Sequence, residues 1–245
     1  MGLYLSNCTV VFAVQVSRIV RRRRTQMARK VTAIRTARHS TTRQRARSVL
    51  QFLVVLSETD PLVWRRIQVP EEYSFWDLHV AIQDAMGWLD YHLHEFRVFH
   101  TRRRQLDRLG IPDEEFQDER SCTPDWQVKI SDYFNSRSML DGPPALYVYD
   151  FGDDSHHLLM FEEVLPVEAS VTYPRCVAGA RACPPEDCGG VHGFAEFLTA
   201  IADPQHAEHE RLLQWSGGAY DPAAFEPSRI HFDDPRQRWN KAFQE

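Results

Sequence analysis

The chain has 245 residues and a formal net charge of −5, and this length can bury a sizeable core in one large domain or two small ones. The charge is unevenly spread: residues 1–50 contain twelve Lys or Arg and no Asp or Glu, so residues 51–245 carry 17 basic and 34 acidic residues, a net charge of −17. A domain of that charge repels DNA, which argues against DNA binding outside the basic segment.

Residues 1–47 are predicted to form a basic, disordered extension. Their arginines are interleaved with Thr, Ser, Ala and Gln, and no apolar periodicity holds the segment to a core. Basic arms of this kind bind the phosphates of nucleic acid or anionic lipid by charge attraction. Nucleic acid is therefore the partner that this extension suggests.

The apolar run 3–16 is predicted not to be a targeting or membrane segment. A secretory signal has its positive charges before the apolar part, whereas here the arginines at 21–24 follow it. The run is also shorter than the roughly 20 apolar residues of a membrane helix. These features predict a cytoplasmic protein without a membrane partner, whose five cysteines stay reduced.

A strand hairpin and a helix are predicted to open the domain that spans 48–232. The run 49–57 has the composition of a strand, and after a turn 62–69 alternates apolar and polar residues. A serine N-cap, apolar residues at helical spacing and a final glycine predict a helix over 74–86.

The same two periodicities predict the later elements. The predicted strands are 93–99, 145–149 and 157–165, and the predicted helices are 193–202 and 207–215. Residues 100–143 carry no comparable signal and are predicted to be a charged surface loop with a short helix at 128–134. The last residues, 233–245, are predicted to be a C-terminal tail.

The ββαβ order of the first elements predicts the fold class. It places one amphipathic helix across a twisted mixed sheet, which is the arrangement of a β-grasp, or ubiquitin-like, core. The predicted fold is therefore α+β and β-grasp-like, with a helical C-terminal part.

Five ordered motifs in this domain resemble the plasmid pRiA4b ORF-3-like family, whose members are also labelled passenger or TnpR-family proteins of an IS1096-type insertion element. The motifs are LVWRRIQVP (62–70), AMGWLDYHLHEF (85–96), YDFGD (149–153) followed by His157, YPRCVAGARACPPEDCGGVHGF (173–194) and WSGGAYDPAAF (215–225). Asp154 and Ser155 depart from the family's usual Gly and Trp. The resemblance implies no established biochemical activity, and the nucleophilic serine among arginines that a serine recombinase needs is not visible.

The fourth motif, residues 173–194, contains candidate zinc ligands. Cys176, Cys183 and Cys188, with His156 or His157 from the neighbouring hairpin, would supply the thiolate and imidazole ligands that zinc prefers. The intervals between the cysteines are longer than in most zinc knuckles, and the Pro184–Pro185 pair restricts the loop. The alternative is that the cysteines are reduced and packed under the loop.

Oxygen ligands form a second candidate site for a divalent metal. Carboxylates suited to Mg²⁺ or Mn²⁺ are Asp150, Asp153, Glu186 and Asp187. Ordinary turn and capping roles are the alternative for all four residues. His94 or His157 would lie nearby, and His92, two residues before His94, would point to the same face of its strand.

A single pocket is the resulting site hypothesis. Strands 93–99 and 157–165 belong to one predicted sheet, and the loop 176–190 follows the second strand after a short connection. His94, His157 and the loop are therefore expected to meet. Arg65 and Arg66 either neutralise the acidic domain or recognise an anionic ligand.

Two classes of function remain open from the sequence. The first is a binding or interaction module associated with mobile elements. The second is a metal-dependent enzyme, a hydrolase acting on a phosphate-bearing or peptide substrate, with His157 or Glu186 as general base.

Deleting residues 1–47 is expected to leave the melting temperature nearly unchanged, because a basic segment without apolar periodicity buries little surface. Any DNA binding by the full chain is expected to disappear with this deletion and to weaken steeply with salt. Thermal melts and DNA titrations of the full and shortened chains check both statements. A large drop in melting temperature on deletion would contradict the prediction.

Overall fold

The computed structural model describes residues 48–112, 122–136, 138 and 142–243. The basic extension expected at 1–47 and the acidic stretch 113–121 of the expected surface loop lie outside the described residues. The described part has the predicted α+β architecture. None of the helices in that part is long and apolar enough to cross a bilayer.

Eight strands and four helices make up the described part of the chain. The strands are β1 (Ser48–Leu56), β2 (Trp64–Pro70), β3 (His94–His100), β4 (Gln105–Gly110), β5 (Thr123–Pro124), β6 (Ala145–Tyr149), β7 (Ser155–Pro166) and β8 (Arg175–Ala180). The helices are α1 (Phe75–Met86), α2 (Gly190–Ala202), α3 (His209–Trp215) and α4 (Pro235–Phe243). Short 3-10 turns lie at Asp125–Gln127, Ile130–Asp132 and Pro227–Arg229.

The strands form one mixed sheet in the order β5-β4-β3-β6-β7-β1-β2-β8. Neighbouring strands are antiparallel, except that β4 and β5 are parallel. Strand β1 lies between β2 and β7, and every residue of it after Ser48 is buried. Burial on both faces of the sheet explains why the sequence of β1 is a continuous apolar run instead of an alternating one.

Helix α1 begins with a capping box and ends at a glycine. Ser74 Oγ accepts a hydrogen bond from Asp77 N at 3.1 Å, and Asp77 Oδ2 accepts one from Ser74 N at 2.8 Å. Gly87 ends the helix with φ of +86°, a conformation that glycine adopts at low cost. The start and end predicted for this helix are confirmed.

Helix α1 also forms the centre of the core. Ten of its twelve residues are buried, and Leu78 and Ile82 have no exposed surface. Phe75 packs edge-on against Phe96 of β3, with 5.1 Å between the ring centroids. The apolar stripe predicted from the sequence therefore lies on the sheet.

Helix α4 lies in the segment that was expected to be a tail, and it covers the outer side of α1. Trp239 packs against Trp76 of α1 and against Trp126, with ring centroids 5.2 and 4.7 Å apart. Arg238 Nη2 donates a hydrogen bond to Asp84 Oδ1 at 2.6 Å. The sequence of α4 shows no clear helical periodicity, because its few aromatic residues pack on a surface of α1 that is far away in the sequence.

Strands β4, β5 and β8 were not predicted. Strand β4 lies in the expected surface loop 100–143, and its polar residues pair with neighbours: Arg108 Nε donates to Glu95 Oε2 at 2.9 Å. Only Leu109 and Gly110 of β4 are buried, so the apolar signal was absent. Strand β8 lies in the expected loop 176–190 and pairs with β2, and none of its residues is fully buried.

Leu78→Ala is expected to lower the free energy of unfolding by about 2–5 kcal/mol, because it removes a fully buried side chain and leaves a cavity. Leu106→Ala is the matched control, since Leu106 on β4 is 59% exposed. Urea unfolding of both variants measures the difference. Equal losses at the two positions would show that α1 does not carry the core.

Candidate functional site

Three segments meet at one end of the sheet, and we call their meeting point the three-segment site. They are residues 88–93 between α1 and β3, the β6–β7 turn 150–154, and the loop 181–190 between β8 and α2. Trp88 Nε1 donates a hydrogen bond to Pro184 O at 2.8 Å. The end of α1 is thereby joined directly to the proline pair of the loop.

The β6–β7 turn is tied to both other segments. Asp150 N donates to Leu93 O at 3.0 Å, and Gly189 N donates to Asp153 Oδ2 at 3.1 Å. A Cβ atom at Gly190 would lie 2.3 Å from Asp153 O. Only glycine therefore permits the loop backbone to approach the turn this closely.

Glu186 is held in place by two hydrogen bonds. Its Oε2 accepts from Leu89 N at 2.6 Å, and its Oε1 accepts from Tyr149 Oη at 2.6 Å. Burial, together with the Glu186 carboxylate, raises the pKa of Tyr149 well above its usual value, so the hydroxyl stays a donor. Tyr149 Oη also accepts from Tyr91 N at 3.0 Å, which fixes the 88–93 segment.

One histidine and two aspartates converge at this site. His92 Nε2 lies 3.0 Å from Asp187 Oδ1 and 3.7 Å from Asp150 Oδ2, and one ligand atom from each residue lies within 4.8 Å of the others. Although both oxygens are near, Nε2 makes no aligned hydrogen bond and is itself buried from solvent. Among the residues that the structure describes, this is the group close enough to share one metal ion.

Large apolar side chains on the same segments are exposed around the triad of His92, Asp150 and Asp187. Their exposed fractions are 63% for Leu89, 71% for Tyr91, 46% for Leu93 and 55% for Phe151. Contiguous exposed apolar surface with polar groups beside it marks binding sites on soluble proteins. We call these four residues the apolar rim.

A groove of about 760 Å³ opens beside Asp187 and runs between α2 and α3. This volume falls in the range of roughly 300–1,000 Å³ typical of small-molecule sites. Its lining residues are Asp187, Cys188, Gly193, Ala195, Glu196, Phe197, Thr199, Ala200, His206, Glu208, Arg211, Leu212 and Trp215.

The structure brings together the four predicted carboxylates but not the predicted histidines. Asp150, Asp153, Glu186 and Asp187 all lie in the three-segment site, as described above. His94 lies elsewhere: its Nε2 is bonded to Asp125 Oδ2 at 2.7 Å, and its ring stacks on His79 at 3.5 Å.

The histidine of the site is His92, which sequence reasoning had placed beside His94 on one strand. Strand β3 begins only at His94, so His92 precedes it and does not share its alternation. Asp90, with φ of +65°, turns the chain before His92. The sequence feature that marks His92 as a site residue is the short polar segment 88–93 after Gly87. Strand periodicity does not apply to this segment, because it precedes β3.

His157 is fully buried, with no exposed surface, between Trp88 and Tyr147. Neither ring nitrogen makes an aligned hydrogen bond within the described residues, although the backbone of Tyr147 and Ser155 lies near the ring. Burial lowers the pKa of His157 to about 3, so the ring is neutral. It faces the core and does not reach the loop, which corrects the expected shared pocket.

The cysteines do not gather around His157. Cys176 Sγ donates to Ala178 O at 3.3 Å, and Cys188 Sγ donates to Gly190 O at 3.6 Å. Burial raises the pKa of Cys183 and of Cys188 to about 12. No group of described residues that includes these cysteines has the spacing of a metal site. Cys176, Cys183 and Cys188 are free thiols, and Cys176 and Cys183 pack against the core.

Arg65 and Arg66 are engaged in contacts within the fold. Arg65 is buried, donates from Nε to Ala85 O at 2.8 Å, and lies 4.1 Å from the ring centroid of Phe225. Burial lowers its pKa. Arg66 forms a bidentate ion pair with Glu162, in which Nε donates to Oε2 at 2.7 Å and Nη2 donates to Oε1 at 3.0 Å. Both arginines therefore hold strands and loops together.

The protein is expected to lose stability as the pH falls below about 6.5. Burial lowers the folded-state pKa of His79 to about 4 and that of His157 to about 3, while both groups have ordinary values near 6.5 when unfolded. The unfolded chain therefore binds more protons between pH 6.5 and about 3, and acid favours unfolding.

His157→Leu is expected to flatten this pH dependence because it removes one of the two groups. His192→Leu, at an exposed position of α2, is the control and is expected to keep it. Urea unfolding at several pH values measures the slope. An unchanged slope in His157→Leu would contradict the assignment.

These observations define a class of α+β protein. In this class, a helix packs on a mixed, mostly antiparallel sheet, and a polar site forms where two turns and a loop meet. Residues 48–229 match the family described as "Plasmid pRiA4b ORF-3-like protein". The chain belongs to that family.

Two relatives extend this assignment. The chain is similar to "Uncharacterized protein y4hQ" of Sinorhizobium fredii (strain NBRC 101917 / NGR234), at 35% identity over 195 residues that cover 78% of this chain and 94% of the relative. It is also similar to a crystal structure titled "Protein of Unknown Function MM3350" from Methanosarcina mazei Go1, with a TM-score of 0.69 and 40% identity. That match covers 76% of this chain and 99% of the other. Neither relative's name states an activity.

Proposed function

We propose that this protein is a binding module whose site is centred on a divalent cation held by His92, Asp150 and Asp187. The observation that carries the proposal is the His92 ring: Nε2 is buried and makes no aligned hydrogen bond, although carboxylate oxygens lie 3.0 and 3.7 Å away. A buried nitrogen without an aligned hydrogen bond is costly, and a cation between it and the two oxygens would satisfy all three atoms.

The ligand set indicates which cations fit. One imidazole nitrogen and two carboxylate oxygens, without a thiolate, suit Zn²⁺, Mn²⁺ and related ions better than soft metals. Two carboxylates and a neutral imidazole carry a charge of −2, which a divalent cation balances. Three protein ligands also leave at least one coordination position open for a further group.

The surroundings of the triad would hold its ligands in position. Asp187 follows Glu186, whose carboxylate is fixed by Leu89 N and Tyr149 Oη. Asp150 is anchored through its backbone N to Leu93 O. Hydrogen bonds from neighbouring groups that orient the ligands are what metal sites require.

A metal-dependent hydrolase is the second candidate, because three protein ligands with an open position are also the arrangement of catalytic zinc sites. The two bases considered from the sequence are poorly suited to that role here. Glu186 already accepts two hydrogen bonds, and His157 is buried in the core. These observations favour the binding module.

Two further parts of the proposal are supported less directly. The description of the family refers to a plasmid, which supports an association with mobile elements. The β1–β2 hairpin followed by α1 supports a β-grasp-like unit at the start of the domain. Because β1 is antiparallel to β7 as well as to β2, the likeness is limited to this ββα part.

Titration calorimetry with Zn²⁺ and Mn²⁺ tests the proposed cation site. One ion is expected to bind per chain, and Asp187→Asn is expected to weaken binding about tenfold or more because it removes a charged ligand. Asp154→Asn is the matched control: its side chain is 67% exposed, against 63% for Asp187, and it lies outside the triad. Equal affinities of these two variants, or no binding by the unmodified protein, would refute the proposal.

A further inference from the structure

We infer that the α2–α3 groove is the ligand site of this module and that it takes a small organic oxyanion with an aromatic body. The inference rests on the proposed cation site. The groove begins at Asp187, one of the three proposed cation ligands, and extends along α2 to Trp215 at the end of α3. The groove and the proposed cation site therefore share Asp187.

The far end of the groove has the character of an aromatic binding surface. Trp215 lines the groove, and 45% of its surface is exposed. Its inner edge packs against the buried ring of Phe197, with 6.1 Å between centroids and an angle of 71°. Phe197 is in turn held edge-on by Tyr220 at 5.0 Å. A packed aromatic side chain with almost half of its surface exposed is suited to stacking on a flat ligand.

The charges along the groove leave the proposed cation as the position for an anionic head group. The basic residue Arg211 is already paired with Glu208 at 2.5 Å, and Glu196 adds another carboxylate to the lining. An anion would therefore be repelled along the groove itself, and the cation is the position that would hold it. Carboxylate and phosphate oxygens are both good ligands for Zn²⁺ and Mn²⁺.

Apolar contacts would hold the body of the ligand between these two ends. Ala195, Ala200 and Leu212 also line the groove. A ligand with an oxyanion at one end and an aromatic ring at the other would use the cation, this apolar surface and the indole.

Three probe molecules test the inference on the full chain loaded with Zn²⁺ or Mn²⁺. 3-Phenylpropionate and phenyl phosphate carry the two oxyanions on an aromatic body, and 3-phenylpropanol lacks the charge. We expect the oxyanions to bind only when metal is present and the alcohol not to bind; the stronger of the two oxyanions identifies the head group. Binding of the alcohol equal to that of the acids, or binding without metal, would overturn the inference.

Two matched variants decide where the aromatic body lies. Trp215→Ala is expected to weaken binding of the oxyanions by about tenfold while leaving the affinity for metal unchanged, and Trp215→Phe is expected to retain most of the binding. Tyr91→Ala removes an exposed aromatic residue of the apolar rim and is expected to weaken binding less than Trp215→Ala does, and Leu106→Ala, at a 59% exposed position of β4, is the control that is expected to have no effect. Loss of binding in Tyr91→Ala but not in Trp215→Ala would overturn the groove assignment and leave the cation site standing. If the unmodified protein binds no metal, the proposed function itself is refuted.

Discussion

The burial of helix α1 on nearly every side is the constraint on which the rest of the structure depends. The sheet covers one side of the helix and α4 covers the other, so its polar residues must find partners inside the protein. Gln83 Nε2 donates to Tyr147 Oη at 2.8 Å, and His79 Nδ1 lies 2.8 Å from the same oxygen. The hydroxyl can therefore donate to His79, which leaves His79 Nε2 to donate to Asp90 Oδ1 at 2.8 Å.

This buried network extends directly to the three-segment site. Asp90 and Tyr147 belong to the segment and the strand that carry the site, so satisfying the polar atoms of α1 also fixes the backbone next to His92. Glu186 continues the chain of contacts, because it joins Tyr149 to the loop. The site is therefore built on rigid elements, although its residues lie on turns and loops.

Local signals in the sequence were enough to predict most of the secondary structure. The capping box and glycine end of α1, the apolar run of β1 and the alternation of β6 each depend on residues close in sequence, and each was found. Strand β4 and helix α4 depend on partners far along the chain: Glu95 pairs with Arg108 of β4, and Trp76 receives Trp239 of α4. The same limit applies to the site. Its four carboxylates lie on a turn and in a loop, where the local residue types mark them, whereas the choice between His92 and His94 depends on where β3 begins.

The packing of α4 has an optical consequence. Trp76, Trp239 and Trp126 form a continuous series of indoles, with ring centroids 5.2 and 4.7 Å apart. Chromophores this close and held at fixed angles couple their electronic transitions, so the three indoles give a strong chiral signal in the near ultraviolet. Because Trp239 is the middle ring and belongs to α4, that signal exists only while α4 is seated on α1. The near-ultraviolet circular dichroism of the native protein is therefore expected to depend on whether α4 is packed against α1.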